Sequence, residues 1–280
     1  MGERRPLSFY LLALFFCLFV LFLYGPTITI AILSFQGPSG GLTFPMNGTS
    51  IHWFKDLFEQ QAVGDIWGSF RRSFALGLIV MVVTVVVSVM GGMAFRRQFK
   101  GSSLIFYLVI TSLIIPSILI SLGVGILFNI LDWDVHWVTS GLGSQLTWTL
   151  PFGLLIMFAV FNRFDSRYEE AARDLGASNW QVVRYIVLPI IAPSLIGVGL
   201  FGFTLSYDEF ARTLLTAGSY NTLPLEIYGM TTSVTTPVLY ALGTLTTVFS
   251  FVVIAIFLGL FMWIKRKTKP HKINDPNEIV

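Results

Sequence analysis

The sequence predicts an all-α membrane protein of six transmembrane helices with both ends in the cytoplasm, and three observations predict it. The first is composition. Hydrophobic residues make up 54% of 280, with 25 glycines besides, well above the roughly 45–50% that apolar residues and glycine together reach in soluble domains. Charged residues are only 12%, about half the usual ~25%. A soluble domain has too little interior for that much apolar surface, which excludes a soluble enzyme and a disordered chain. The single cysteine, Cys17, excludes a disulfide scaffold and a Cys-rich metal site. The second observation is a series of apolar runs long enough to span a bilayer. The third is where the basic residues fall between those runs.

The runs justify the elements in order. Residues 1–6 read as a short cytoplasmic lead, 7–264 as the membrane domain and 265–280 as a basic cytoplasmic tail. The first run, 7–35, begins like a signal peptide after Arg4 and Arg5. It lacks an A-x-A site and continues past Pro26, so an uncleaved span is expected. The next are 73–95, 104–128, 146–161, 190–205 (the span carried to 208) and 239–264, interrupted only by residues that membrane helices tolerate. Arg4, Arg5, Arg96, Arg97, Lys100, Arg163, Arg167, Arg173, Arg184 and the five basic residues of the tail fall on one face. Only Lys55, Arg71, Arg72 and Arg212 fall on the other. The positive-inside rule makes the first face cytoplasmic and explains the basic tail without nucleic acid.

Several chemistries lack their motifs. No G-x-x-x-x-G-K-[ST] loop occurs, so nothing cradles nucleotide phosphates. A G-x-G-x-x-G at Gly197, Gly199 and Gly202 sits inside an apolar span, where small residues let helices approach. His52, His136 and His271 are scattered, and no Ser-His-Asp or Cys-His pairing is suggested. The chain reads as a non-enzyme.

The most informative stretch is the polar loop 162–189. Ser166 precedes Glu169 by three residues and Ser178 precedes Gln181 by three, each spacing that of a capping box. Gly176 between them suits the left-handed residue that ends a helix. The pattern predicts a helix over Arg167–Leu175, a sharp turn, and a second helix from Asn179 that Leu188-Pro189 stops or kinks. Ala171, Ala172 and Leu175 form an apolar stripe flanked by Glu169, Glu170, Arg173 and Asp174, able to dock in a groove of another protein. A solvated connector lying on the membrane is the alternative.

Glu170-Ala171-Ala172, Gly176, then Ile186-x-Leu188-Pro189 resembles the EAA loop of permease subunits in binding-protein-dependent ABC importers, matching every fixed position. The resemblance implies a type I importer permease fold, with the loop acting as a coupling helix seated on an ATPase. It implies that ATP and Mg²⁺ bind a separate ATPase chain and that this chain carries no cofactor. It also implies two ATPase subunits, a second homologous permease subunit, an extracytoplasmic solute-binding protein and a bacterial inner membrane.

A second resemblance is to the polyamine-type permeases of that family. It is carried by Phe203 to Phe210, including Tyr207, Asp208 and Glu209, and by Thr222 to Tyr228, including Glu226 and Tyr228. It implies that these residues line the substrate pathway. Asp208 lies 15 residues beyond Pro193, roughly 22 Å along a helix, and adjacent carboxylates at that depth normally face protein or water. A cationic solute can pair with them and stack on Tyr207 or Trp148. Alternatively both acids lie in the outer interface, one of them bonded to Arg212. Members of the wider family also carry aminoethylphosphonate, small amino acids, iron or thiamine. An ion-coupled secondary carrier would need ionisable residues in several spans, and this chain has one acidic pair. A non-transporting scaffold would not need the long loop.

Overall fold

The computed structural model describes residues 6–59, 64–97, 99–233 and 236–267. Arg4, Arg5, Lys269, Lys272 and His271 lie outside them, so the N-terminal basic pair and the last two basic residues of the tail do too, while Lys265, Arg266 and Lys267 end α11. All regular elements among the described residues are helical. They are α1 (Leu7–Leu33), α2 (His52–Phe58), α3 (Ile66–Phe95), α4 (Ser102–Thr111), α5 (Ser117–Ile130), α6 (Leu142–Asn162), α7 (Arg167–Asp174), α8 (Asn179–Val182), α9 (Leu188–Tyr207), α10 (Leu223–Ser233) and α11 (Val238–Lys267). Wide π turns at Trp137–Gly141 and Val183–Val187 lead into α6 and α9.

The chain divides into two compact units, Met1–Ile66 with Glu226–Phe251, and Trp67–Leu225 with Val252–Val280. In the first, α1 is apolar on every side and almost wholly exposed, as a helix bathed in lipid should be. Tyr240 donates its hydroxyl to the Leu42 carbonyl at 2.8 Å. The Trp53 indole N–H reaches the Gln36 carbonyl at 2.9 Å, securing the segment between α1 and α2.

In the second unit α3, α6 and α9 pack through small and hydroxyl residues. Thr84 donates to Thr149 at 3.0 Å. A Cβ on Gly202 would stand 3.2 Å from the Met81 Cα, so this glycine serves close helix approach, as expected. Near the polar loop the core is Val89, Met157, Phe161, Val182, Val187, Ile191 and Val198.

Five helices are long and apolar enough to cross a membrane: Leu7–Leu33, Ile66–Phe95, Trp137–Asn162, Asn179–Tyr207 and Val238–Arg266. The expected third span, 104–128, is instead broken. It forms α4 and α5, of 10 and 14 residues, each short of the ~20 that cross 30 Å. Pro116 caps α5 in an extended conformation, which the α4 ladder cannot continue through. Ser112 at the break donates to the Thr147 carbonyl at 2.6 Å. The fourth span begins earlier than 146, because Ser140 and Ser144 find acceptors in the Thr216 and Arg212 carbonyls at 2.8 Å each. Polar residues with such partners do not end a membrane helix.

Two local expectations are also corrected. Ser166 makes no side-chain cap; Asp165 Oδ1 accepts the Arg167 N–H at 3.0 Å instead, and Glu169 is engaged elsewhere. Leu188-Pro189 does not stop the helix. The Val183–Val187 π turn precedes Pro189, and the helix runs on into α9, a wide turn being a common way to carry a helix past a local misfit.

Candidate functional site: a polar loop and a buried arginine

The loop's two helices form for local reasons. Ser178 accepts the Gln181 N–H while the Gln181 side chain accepts the Ser178 N–H at 2.7 Å, a complete capping box. Gly176 has φ +85°, the left-handed conformation that ends α7. Its N–H bonds the Arg173 carbonyl at 2.8 Å. Arg167 holds the Asp165 carboxyl below its ordinary pKa, first through its side-chain hydrogen bond and then through its N–H.

The long-range tether is Glu169, which is buried. Arg96, one residue past α3, donates to Glu169 Oε1 at 2.5 Å, and Arg173 lies 3.6 Å from Oε2. The Arg96 guanidinium stacks on Phe161 and Phe164, 5.2 and 5.0 Å from their centroids. Ala172 packs on the core beneath. α7 therefore turns Glu169 and Ala172 inward, while Glu170, Ala171, Asp174 and Leu175 are exposed, Leu175 to 89%. Trp180 beside them is 70% exposed. Of the expected stripe, Ala172 belongs to the inner face. Ile186 and Leu188 are half-buried and Pro189 exposed.

The second region starts where α9 ends at Tyr207. Residues 208–222 run as turns around Arg212, which is only 2% exposed. The Arg212 N–H donates to Glu209 Oε1 at 2.8 Å. Its guanidinium donates to Ser117 at 2.6 Å and Thr147 at 3.3 Å, and lies 4.6 Å from the Trp148 ring centre. Glu209 Oε2 stands 3.9 Å from Nη1. The Ser121 hydroxyl accepts the Leu215 N–H at 2.9 Å, and Ser206 hydrogen-bonds Gln145.

Of the expected pathway residues, Trp148 and Glu209 come together in this knot around Arg212, the partner that the alternative reading gave to one of the two acids. Tyr207 is buried and stacked on Phe203, with ring centroids 5.7 Å apart. Asp208 is exposed and has no ion pair among the described residues. Glu226 lies in the other unit and accepts the Asp65 N–H at 3.1 Å; Tyr228 is exposed. The sequence reading missed the Arg96–Glu169 tether and the hydroxyl cluster of α5 and α6. The i,i+3 spacing of Glu209 and Arg212 was a usable signal for the knot, and Ser140, Ser144, Gln145, Thr147 and Thr149 were another.

Residues 85–269 match the family described as "Binding-protein-dependent transport system inner membrane component". The chain is 28% identical to the spermidine/putrescine transport system permease protein PotC of Haemophilus influenzae, over 84% of this chain and 90% of that one. It is 27% identical to the putrescine transport system permease protein PotI of Escherichia coli, over 80% and 81%. Among solved structures it resembles a chain of a bacterial ABC transporter involved in import of the acidic polysaccharide alginate. The TM-score is 0.64 at 14% identity, covering 96% of this chain and 100% of that one.

Proposed function

This chain belongs to the binding-protein-dependent transport system inner membrane components, the permeases of ABC importers, and on that premise we propose that it carries a small cationic solute of the polyamine class. The solute arrives on an extracytoplasmic binding protein and crosses between this chain and a second, homologous permease subunit. Two separate ATPase subunits bind ATP and Mg²⁺ and drive the cycle. Loop 162–189 faces the cytoplasm and seats on one ATPase through the outer face of α7, with Glu170, Ala171, Asp174 and Leu175 in contact.

The observation that carries the coupling role is the two-sided build of α7. Its inner face is tied to α3 by Arg96–Glu169, while its outer face exposes Leu175 and acidic groups. A helix held that way moves with the spans as one body, which is what biases them between two arrangements. Support for the polyamine class comes from the sequence relatives and from Asp208. Its carboxylate is the member of the acidic pair not held by Arg212. The fold alone leaves the solute open, since a transporter with the same fold takes an acidic polymer.

The test is radiolabelled spermidine and putrescine uptake into proteoliposomes holding the complete importer. Asp208→Asn lowers uptake roughly tenfold, the effect of losing about 1.4 kcal/mol of pairing, and ATPase pull-down is unchanged. Wild-type uptake of a neutral or anionic solute in preference to polyamines overturns the solute class; unchanged uptake by the variant overturns the role of Asp208.

A further inference from the structure

Two cavities meet at Arg96. One is an open cleft of about 500 Å³ where α3 ends, lined by Arg96, Arg97, Glu169, Arg173, Asn179 and Val182 among others. The other is a trough of about 530 Å³ lined by Gly92, Phe95, Phe106, Leu155, Phe158 and Ala159, with Arg96 shared. Both volumes fall within the ~300–1,000 Å³ of ligand pockets. Their chemistry differs sharply. In the cleft, three guanidinium groups face one carboxylate, Glu169, which Arg96 and Arg173 already share. Arg97 has no ion pair among the described residues, so the cleft keeps an excess of positive charge. The trough is apolar and aromatic, with Phe158 5.1 Å from Phe95 and 5.6 Å from Phe106.

Depth relates the two. Arg96 follows the last residue of a 30-residue apolar helix, so the cleft lies at a bilayer surface. Gly92 and Leu155 are one to two turns back along α3 and α6, within the hydrocarbon. Phe95, Phe106 and Phe158 make that level apolar, a surface suited to an acyl chain.

We propose that one anionic glycerophospholipid occupies both cavities. Its phosphodiester lies in the cleft against Arg97 and Arg173, and an acyl chain lies in the trough. A free anion or an acidic protein segment would neutralise the cleft and leave the trough empty. A zwitterionic lipid would fill the trough but bring no net negative charge to balance the arginines. Only an anionic lipid matches both halves, and basic clefts beside membrane helices bind such headgroups elsewhere. The lipid lies against the end of α3 and the inner flank of α7, away from the face assigned to the ATPase. It braces the Arg96–Glu169 tether from the membrane side.

The test uses the full importer, purified from vesicles of phosphatidylethanolamine containing or lacking phosphatidylglycerol. Native mass spectrometry counts the lipids retained. Arg97→Gln with Arg173→Gln leaves the Arg96–Glu169 pair in place, and ATPase pull-down checks assembly. Phosphatidylglycerol binding falls about thirtyfold, from the loss of two surface arginines. Ala159→Trp keeps the charges but fills the trough, and also lowers retention. Equal retention by all three proteins overturns the site. Displacement by inorganic phosphate with no effect of Ala159→Trp makes it a free-anion cleft and overturns the lipid. Loss of retention only in the arginine variant, and only when the ATPase is present, assigns the cleft to the protein partner and overturns it likewise.

Discussion

At the end of α3, Arg96 meets Glu169 against two phenylalanine rings and keeps part of its side chain in solvent. Beyond the end of α9, Arg212 meets Glu209 over an indole and has almost no solvent contact. The groups are the same and the surroundings are not. Loop 162–189 has its own capping box, its own left-handed glycine and two short helices, so Arg96 positions a structure that is already formed. Segment 208–222 has turns only, and its groups are satisfied by Ser117, Ser121, Ser140, Ser144 and Thr147. There the arginine is the centre about which the chain is arranged. An ion pair therefore tells little about its own importance; what depends on it does.

The sharpest way to break this comparison is Glu209→Gln. The amide keeps the shape and leaves Arg212 as an uncompensated buried cation, a change that costs about 3 kcal/mol or more. The unfolding midpoint of the purified chain in mild detergent should drop well below that of wild type; an unshifted midpoint would show the knot to be incidental. Gly176→Val is next, at roughly 2 kcal/mol of backbone strain. A Cβ there meets nothing within 4 Å, so only conformation is penalised and Gly176→Asn should be far milder. In proteoliposomes the valine variant should hydrolyse ATP without matching uptake. Glu169→Gln should cost about 1 kcal/mol, as a partly screened pair does, and weaken coupling more than folding, read as ATPase stimulation by loaded binding protein. Ser178→Ala removes one cap for about 0.5–1 kcal/mol. Its effect should be confined to faster hydrogen exchange of the amides in α8, and a global shift would mean the loop is not locally built.

The same contrast explains what could be read from the chain. Gly176, Ser178 and Gln181 act within a few residues of one another, so spacing alone placed the turn, the cap and both helices. The apolar runs placed five continuous helices because lipid rewards apolarity along a single segment. Hydropathy could not see that 104–128 breaks, although Pro116 was in view, because both halves are equally apolar. It began the fourth helix too late because the acceptors that satisfy Ser140 and Ser144 lie at 212–216. Of the acidic pair, the sequence left both fates open; Glu209 was settled by Arg212 three residues on, whose guanidinium is held by hydroxyls from α5 and α6, and only the folded chain brings those to one place.

The π turn at Val183–Val187 has a consequence for how such a chain can change. A wide turn holds one residue more than an α-helical turn, and each residue of an α-helix turns it by about 100°. A single-codon deletion within 183–187 would let the helix close into regular α geometry. The wide turn already absorbs the extra residue, so the loop would keep its orientation about the axis of α9, whereas the same deletion in a regular α-helical turn would swing it by about 100°. The turn thus acts as slack between the span and the loop, and a related chain that lacks one residue there would still present the same side of α7 to its neighbour.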